Sequence, residues 1–141
     1  MIAYLDTSAI VPLVVAEPTS ARCRQLWNAA DAVLCAALGY VEAVAALARA
    51  HRSARMTADQ LAVSRQRLDD LWEQCIILPV DDLLVREAAS LAVRHRLRGY
   101  DAVHCAAALR HRDSAVVPVT GDRDLLAAWR ASGLDVADTT S

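Results

Sequence analysis

The chain has 141 residues, of which 55% are apolar and 23% are charged, and its net charge is −2. This length and composition predict one globular domain, and no apolar run reaches the roughly 18 residues that a membrane span needs. All 15 basic residues are Arg, and the absence of Lys excludes Walker-type nucleotide loops, phospho-aspartate enzymes that need a Lys, and Schiff-base chemistry.

Charge, cysteine content and the start of the chain give weaker indications. A negative net charge does not favour a nucleic-acid-binding protein. The 4 cysteines form no CxxC pair, so we interpret them as core or surface thiols rather than zinc ligands. No basic leader precedes an apolar stretch, which predicts a cytoplasmic protein.

The first half of the chain predicts two strands and four helices. A strand at 2–5 is followed by a helix over 8–16 and by a second helix over 20–30. A strand at 32–36 then precedes an Ala-rich helix over 38–53. The next helix has Thr57 as its N-cap and apolar residues at helical spacing.

The second half predicts three strands and three helices. After a strand at 75–80, a helix begins at Asp81 or Asp82 and ends near Gly99, because glycine suits a helix end. The remaining predicted elements are a helix from Tyr100 or Asp101 to about His111, a strand at 115–120, a helix over 122–132 and a short strand at 134–137. Alternating strands and helices are typical of a parallel sheet with helices on both faces, so we expect a single α/β domain over 1–141.

Acidic side chains from distant segments lie where a parallel sheet binds ligands. Asp6 follows the first strand, Asp122 follows the fourth with Asp124 beside it, and Asp101 lies at the start of a helix. Ligands bind at the carboxyl ends of parallel strands, so folding could bring these acids together. Asp6, Asp101 and Asp122 could each instead be a helix N-cap, which is a common role of Asp, and Asp124 would then be an acid of a first helical turn.

Glu42 distinguishes a site from a set of helix caps. It lies inside the helical segment "LGYVEAVAALA", where a capping role is impossible. Glu42 and Arg49 are seven residues apart, so both could belong to a solvated stripe; otherwise the carboxylate must be paired or hold a cation. An oxygen-only set suits Mg²⁺ or Mn²⁺ rather than zinc and indicates phosphodiester hydrolysis. Such acids should repel one another, which raises the pKa of at least one.

Four segments resemble, in order and spacing, the acidic motifs of the PIN domain, and in particular those of VapC toxins from toxin–antitoxin modules. These segments are "YLDTSAIVPL", "YVEAVAAL", "RGYDAVHCAAAL" and "VTGDRDLL". The resemblance implies a three-layer α/β/α fold with a central parallel sheet of about five strands. It also implies a Mg²⁺-dependent endoribonuclease, with Mn²⁺ as a substitute.

The resemblance assigns roles to particular residues. The acidic quartet would be Asp6, Glu42, Asp101 and Asp122, with Asp124 as a fifth acid at the metal site. The side chains that orient these carboxylates would be the hydroxyls of Thr7, Ser8 and Thr120. A histidine, His104, follows Asp101 by three residues and could either reach the site or pack between helices.

The resemblance also implies partners. These are an RNA substrate, a cognate antitoxin whose C-terminal segment lies across the active-site groove, and a second copy of the chain in a homodimer. Two Arg clusters could form an RNA-binding rim or simply solvated helix faces. They are Arg49, Arg52 and Arg55, and Arg94, Arg96 and Arg98. Two alternatives stay open, namely a metal- or partner-binding module without turnover and a housekeeping nuclease that is not a toxin.

Overall fold

A parallel sheet forms the centre of the structure, a computed structural model that describes residues 1–141. Its 5 strands have the order β3-β2-β1-β4-β5 across the sheet, and every neighbouring pair is parallel. In chain order they are β1 (Ile2–Leu5), β2 (Ala32–Ala36), β3 (Ile76–Leu78), β4 (Val116–Thr120) and β5 (Ala137–Asp138).

Helices connect the strands and cover both faces of the sheet. They are α1 (Thr7–Val14), α2 (Ser20–Ala29), α3 (Leu38–Arg52), α4 (Ala58–Trp72), α5 (Asp82–His95), α6 (Gly99–Leu109) and α7 (Arg123–Ala131). The predicted cap at Thr57 is confirmed, because its hydroxyl accepts from Gln60 N at 3.1 Å while the Gln60 side chain accepts from Thr57 N at 2.8 Å. No helix is both long enough and apolar enough to cross a bilayer.

The alternation of side chains along β1 separates two cores. Ala3 and Leu5 pack with the layer that contains α1 to α4, whereas Tyr4 packs with α5, α6 and α7 on the opposite face. Successive side chains of a strand point to opposite faces, so one short strand contributes to both cores. The predicted three-layer α/β/α architecture with five parallel strands is confirmed.

The end of α5 differs from the prediction. The helix ends at His95, and Arg96 takes the left-handed conformation with φ 56°. The amide of the next residue, Leu97, donates to Ala92 O at 3.2 Å, and the Leu97 side chain is buried in the core. This combination of a bond and an apolar contact ends a helix without glycine. Gly99 is instead the first residue of α6, so its predicted role as a helix end is wrong.

Two strand boundaries also differ. β3 covers only Ile76–Leu78 rather than 75–80, because Pro79 has no N–H to donate to a sheet ladder. β5 covers Ala137–Asp138 rather than 134–137, since its pairing with β4 joins Val119 to Ala137 and Thr120 to Asp138.

Candidate active site

The candidate site lies where the chain leaves β1 and β4, which are neighbours at the centre of the sheet. From β1 the chain enters α1 on one face, and from β4 it enters α7 on the other face. Helices that depart to opposite faces leave a crevice at the carboxyl ends of the two strands. Asp6 and Asp122 are the N-cap residues of these two helices, so both lie at this crevice.

Both carboxylate oxygens of Asp6 are held by the protein. Oδ1 accepts from Ser8 Oγ at 2.7 Å and from Ala9 N at 3.2 Å, and Oδ2 accepts from Thr120 Oγ1 at 2.7 Å. Asp6 is only 3% exposed. Burial raises the pKa of Asp6, although the charge of His104 and these hydrogen bonds oppose the rise. The residue is therefore a helix cap and also a buried carboxylate at the crevice.

Two hydroxyl groups connect the ends of β1 and β4. The Thr120 hydroxyl accepts from Asp122 N at 2.9 Å, and the Ser8 hydroxyl accepts from Gly121 N at 2.8 Å. Asp122 in turn caps α7 by accepting from Leu125 N at 2.9 Å. The two acids therefore have fixed positions relative to each other, because each hydroxyl contacts both segments.

Glu42 is held from two sides. Its Oε1 atom accepts from Thr7 Oγ1 at 2.7 Å and from His104 Nε2 at 2.6 Å. Burial raises the pKa of Glu42, but the bonds and charge from His104, with the bond from Thr7, outweigh burial and hold the pKa below its usual value. Arg49 forms no ion pair with Glu42, whose side chain is only 19% exposed, so the solvated-stripe alternative is wrong.

Unlike Asp6, Glu42 and Asp122, Asp101 has no hydrogen-bond donor on its carboxylate. It is the third residue of α6, whose N-cap is Arg98, so its predicted capping role is wrong. The half-buried carboxylate has no hydrogen bond or ion pair. Burial raises its pKa, and so do the charges of Asp122 and Glu42, while those of His104 and Arg98 lower it. The repulsion expected among these acids thus affects Asp101 and not Glu42.

Two buried residues next to Glu42, His104 and Tyr4, form hydrogen bonds that the sequence does not predict. His104 is 2% exposed and reaches Glu42, which resolves the two alternatives for this residue. Tyr4, whose sequence context indicates only a strand residue, places its OH 2.6 Å from His104 Nδ1. The alternation of β1 was the available signal, because it directs residue 4 toward the layer that contains α6.

The remaining predicted residues are exposed to solvent. Asp124 is exposed in the first turn of α7 and makes no hydrogen bond. Arg49 lines a cleft of about 390 Å³ together with Thr7, Glu42 and Tyr100. Arg52 is exposed and contacts no acid. The other residues of the two Arg clusters, Arg55, Arg94, Arg96 and Arg98, are exposed as well.

The chemistry of these donors fits a hard divalent cation. No three carboxylate, imidazole or thiol groups lie close enough together to form a ready-made metal site. However, Asp101 and Asp122 have no Arg partner, and Oε2 of Glu42 has no protein partner. Mg²⁺ is bound by few carboxylates together with water and substrate phosphate, so it needs such oxygen atoms rather than a complete protein cage.

The sheet order, the two flanking helical layers and the acids at the crevice define the class of protein. The sequence profile of the PIN domain matches residues 3–129, and the chain belongs to the PIN domain family. It is 37% identical to the Mycobacterium tuberculosis protein named "Ribonuclease VapC49" over 134 residues, which is 95% of this chain and 93% of that protein. The resemblance to VapC proteins is confirmed.

Solved structures show the same fold. FitAcB from Neisseria gonorrhoeae superposes with a TM-score of 0.72 at 20% identity, covering 99% of both chains. VapBC-5 from Mycobacterium tuberculosis, described as a member of the VapBC family of toxin–antitoxin systems, has a TM-score of 0.59 at 25% identity. That comparison covers 97% of this chain and 98% of the other.

Proposed function

We propose that this protein is a divalent-metal-dependent endoribonuclease that acts as the toxin of a toxin–antitoxin pair. The observation that carries the proposal is the half-buried carboxylate of Asp101, which is repelled by the charges of Asp122 and Glu42 and forms no hydrogen bond or ion pair. A carboxylate removed from water needs compensation, and perturbed acids of this kind are typical of functional sites. The name of the relative VapC49, a ribonuclease, supports the reaction class.

The four acids Asp6, Glu42, Asp101 and Asp122 are the proposed catalytic residues. They would hold Mg²⁺, or Mn²⁺ in its place, and Asp124, two residues after Asp122 on α7, would assist. When bound, the ion would lower the pKa of a water molecule and neutralise charge on the phosphodiester. The protein's own part is orientation, which is carried out by the three hydroxyls on the carboxylates, those of Thr7, Ser8 and Thr120.

Basic side chains around the crevice would bind the RNA backbone. Arg49 lies on the cleft beside Glu42, and the charge of Arg98 acts on Asp101. We include Arg52 in this rim because it lies one turn from Arg49 on α3. Contacts to phosphate position a nucleic acid but do not select its sequence, so the rim accounts for RNA binding and not for the choice of RNA.

The proposal includes two protein partners. The VapBC-5 structure belongs to a toxin–antitoxin system, which supports a cognate antitoxin for this chain. The resemblance to VapC toxins supports a homodimer, which light scattering of the purified protein can test. We place the activity in the cytoplasm, where the RNA substrate and the antitoxin are made.

Cleavage by the purified protein tests the enzymatic part. Antitoxin-free protein should cleave RNA with Mg²⁺ or Mn²⁺, stop on addition of EDTA, and leave 5′-phosphate and 3′-hydroxyl ends, because water is the nucleophile. The Asp101→Asn variant should be inactive. Asp113→Asn is the matched control, because Asp113 is exposed and makes no hydrogen bond. Products with 2′,3′-cyclic phosphate ends would contradict the mechanism.

Expression in cells tests the toxin role. The wild-type protein should arrest growth, Asp101→Asn should relieve the arrest, and the product of an adjacent antitoxin gene should co-purify with the protein. A harmless wild-type protein that cleaves RNA in vitro would be a housekeeping nuclease. Protein that binds Mg²⁺ and the antitoxin but cleaves no RNA would be a binding module.

A further inference from the structure

A buried chain of hydrogen bonds runs from the central strand to Glu42. The OH of Tyr4 lies 2.6 Å from His104 Nδ1, and His104 Nε2 lies 2.6 Å from Glu42 Oε1. Tyr4 is 0% exposed and His104 is 2% exposed. The three residues belong to β1, α6 and α3, so these hydrogen bonds connect one helical layer to the other beside the central strand.

The direction of the bond to Glu42 does not depend on the protonation of the imidazole. The oxygen of an ionised carboxylate can only accept hydrogen bonds, and Oε1 of Glu42 accepts one from the Thr7 hydroxyl as well. Nε2 must therefore carry a proton, whether the ring is neutral or charged. In the neutral ring the remaining nitrogen, Nδ1, is an acceptor, and the Tyr4 hydroxyl donates to it. Every polar atom of the His104 ring thus has a side-chain partner.

Aromatic packing fixes the tyrosine at the start of this chain. The Tyr4 ring makes an edge contact with the His104 ring at a centroid distance of 6.0 Å, and another with Trp129 at 5.9 Å. Trp129 is itself 0% exposed, and its Nε1 donates to Cys105 O at 3.2 Å. The hydroxyl of Tyr4 is therefore directed at Nδ1 by the core and does not rotate freely.

Both donors to Glu42 bind the same oxygen. His104 Nε2 and Thr7 Oγ1 each contact Oε1, while Oε2 has no protein partner. Glu42 also lines the cleft that contains Thr7 and Arg49. A carboxylate anchored through one oxygen presents the other in a defined direction, as occurs for carboxylates that bind metals and are hydrogen-bonded in turn.

We propose that Tyr4 and His104 are positioning residues that hold Glu42 through Oε1, so that Oε2 is the oxygen available to a divalent cation. This inference rests on the proposed function, because it assigns Glu42 to a metal-binding site. The two residues act only through Glu42 and touch neither the cation nor the RNA. A histidine that merely packs between helices would not need the hydroxyl of Tyr4 or the carboxylate of Glu42.

The test measures Mg²⁺ binding by calorimetry on RNA-free protein, with the thermal midpoint in EDTA as a separate measure of folding. His104→Leu should weaken Mg²⁺ binding about 10- to 100-fold, the range found for groups that orient metal ligands. Tyr4→Phe, which keeps the ring and its packing, should weaken binding several-fold. His104→Gln should recover part of the affinity, because its amide N–H can replace Nε2. Cleavage rates should follow the same order.

Two comparisons separate positioning from stability. Cys105→Ala removes a buried thiol next to His104 in the same core, so it should lower the midpoint and leave the Mg²⁺ affinity within about twofold. Once Glu42→Gln is present, adding His104→Leu should cause no further loss of Mg²⁺ affinity, because a residue that acts through Glu42 has nothing left to position.

The outcomes distinguish this inference from the proposed function. If the wild-type protein neither binds Mg²⁺ nor cleaves RNA, the proposed function and the inference both fail. A different result would overturn only the inference. In that case the wild-type protein binds Mg²⁺ and cleaves RNA, Glu42→Gln loses both activities, and Tyr4→Phe and His104→Leu bind Mg²⁺ as tightly as the wild type. An affinity loss of the same size in Cys105→Ala, or an additive loss in the double variant, would also overturn it.

Discussion

Two buried threonines next to the crevice differ in their hydrogen bonding, and this difference predicts opposite effects of the same substitution. The hydroxyl of Thr120 donates to Asp6 Oδ2 at 2.7 Å and accepts from Asp122 N at 2.9 Å. Thr139, which pairs with Thr120 through its backbone, buries its hydroxyl without any partner. Valine has nearly the shape of threonine, so Thr→Val removes the hydroxyl with little change in packing at either position.

The expected cost at Thr120 follows from the two lost bonds. A hydrogen bond to a buried carboxylate contributes about 1.5–3 kcal/mol, and the Asp122 amide also loses its acceptor. Thr120→Val should therefore reduce the free energy of unfolding by about 2–4 kcal/mol, which lowers the midpoint by roughly 6–16 °C for a chain of this size. Thr139→Val should leave the midpoint unchanged or raise it, because it removes an unsatisfied buried hydroxyl.

Thermal unfolding followed by circular dichroism in EDTA, at pH 7, measures both variants against the wild type. EDTA removes any contribution of a bound cation to the midpoint. Equal midpoints for the two variants, or a larger loss for Thr139→Val, would show that the hydroxyl of Thr120 does not stabilise the fold in this way. RNA cleavage by Thr120→Val should also fall, because Asp6 and Asp122 lose the hydroxyl that connects them.

Three further predictions concern single residues. Asp101→Asn should raise the thermal midpoint in EDTA, because burial and neighbouring acids raise the pKa of Asp101 and so disfavour its charged form. The variant should also show a smaller increase of the midpoint on addition of Mg²⁺, and an increase as large as that of the wild type would contradict this prediction. Gly121→Ala should destabilise the protein by about 1–3 kcal/mol in urea unfolding, because the added Cβ would lie 2.7 Å from Thr139 Oγ1. Hydrogen bonds from Arg123 and from the hydroxyl and backbone N–H of Thr140 hold the pKa of Asp138 well below its usual value. The ionised Asp138 therefore stabilises the fold at neutral pH, and this stabilisation is lost as the pH falls below about 4. Asp138→Asn should accordingly be less stable than wild type at pH 7 and lose less stability on acidification, and parallel pH profiles of the two midpoints would argue against this.

The strands and most helices could be predicted from local patterns in the sequence. Apolar runs such as 32–36 are long enough for a buried strand and too short for a helix, and Thr57 precedes a helix with the matching Gln60. The end of α5 could not be predicted in this way. It depends on the burial of Leu97 against other elements, whereas Gly99 is the local signal and lies at the start of the next helix.

The candidate site was predictable in its residue types and not in its contacts. The positions of Asp6 and Asp122 after strands follow from the topology, and the apolar surroundings of Glu42 indicate a special role. Sequence spacing shows that His104 shares a face with Asp101, but it does not show that the ring reaches Glu42, which is 62 residues away. Tyr4 was missed because a buried tyrosine in a strand is common in any core.

The order of the strands determines when the central strand β1 can pair with β4 as the chain is synthesised. β1 is the first strand to be made, yet it lies between β2 and β4, and its partner β4 is separated from it by more than one hundred residues of chain. One edge of β1 therefore stays unpaired until residues 116–120 have left the ribosome, and Asp122, which follows β4, joins Asp6 only then. Such distant pairing slows folding and leaves an exposed edge in the meantime. The acids at the ends of β1 and β4 are thus brought together only after the residues up to Asp122 have been synthesised.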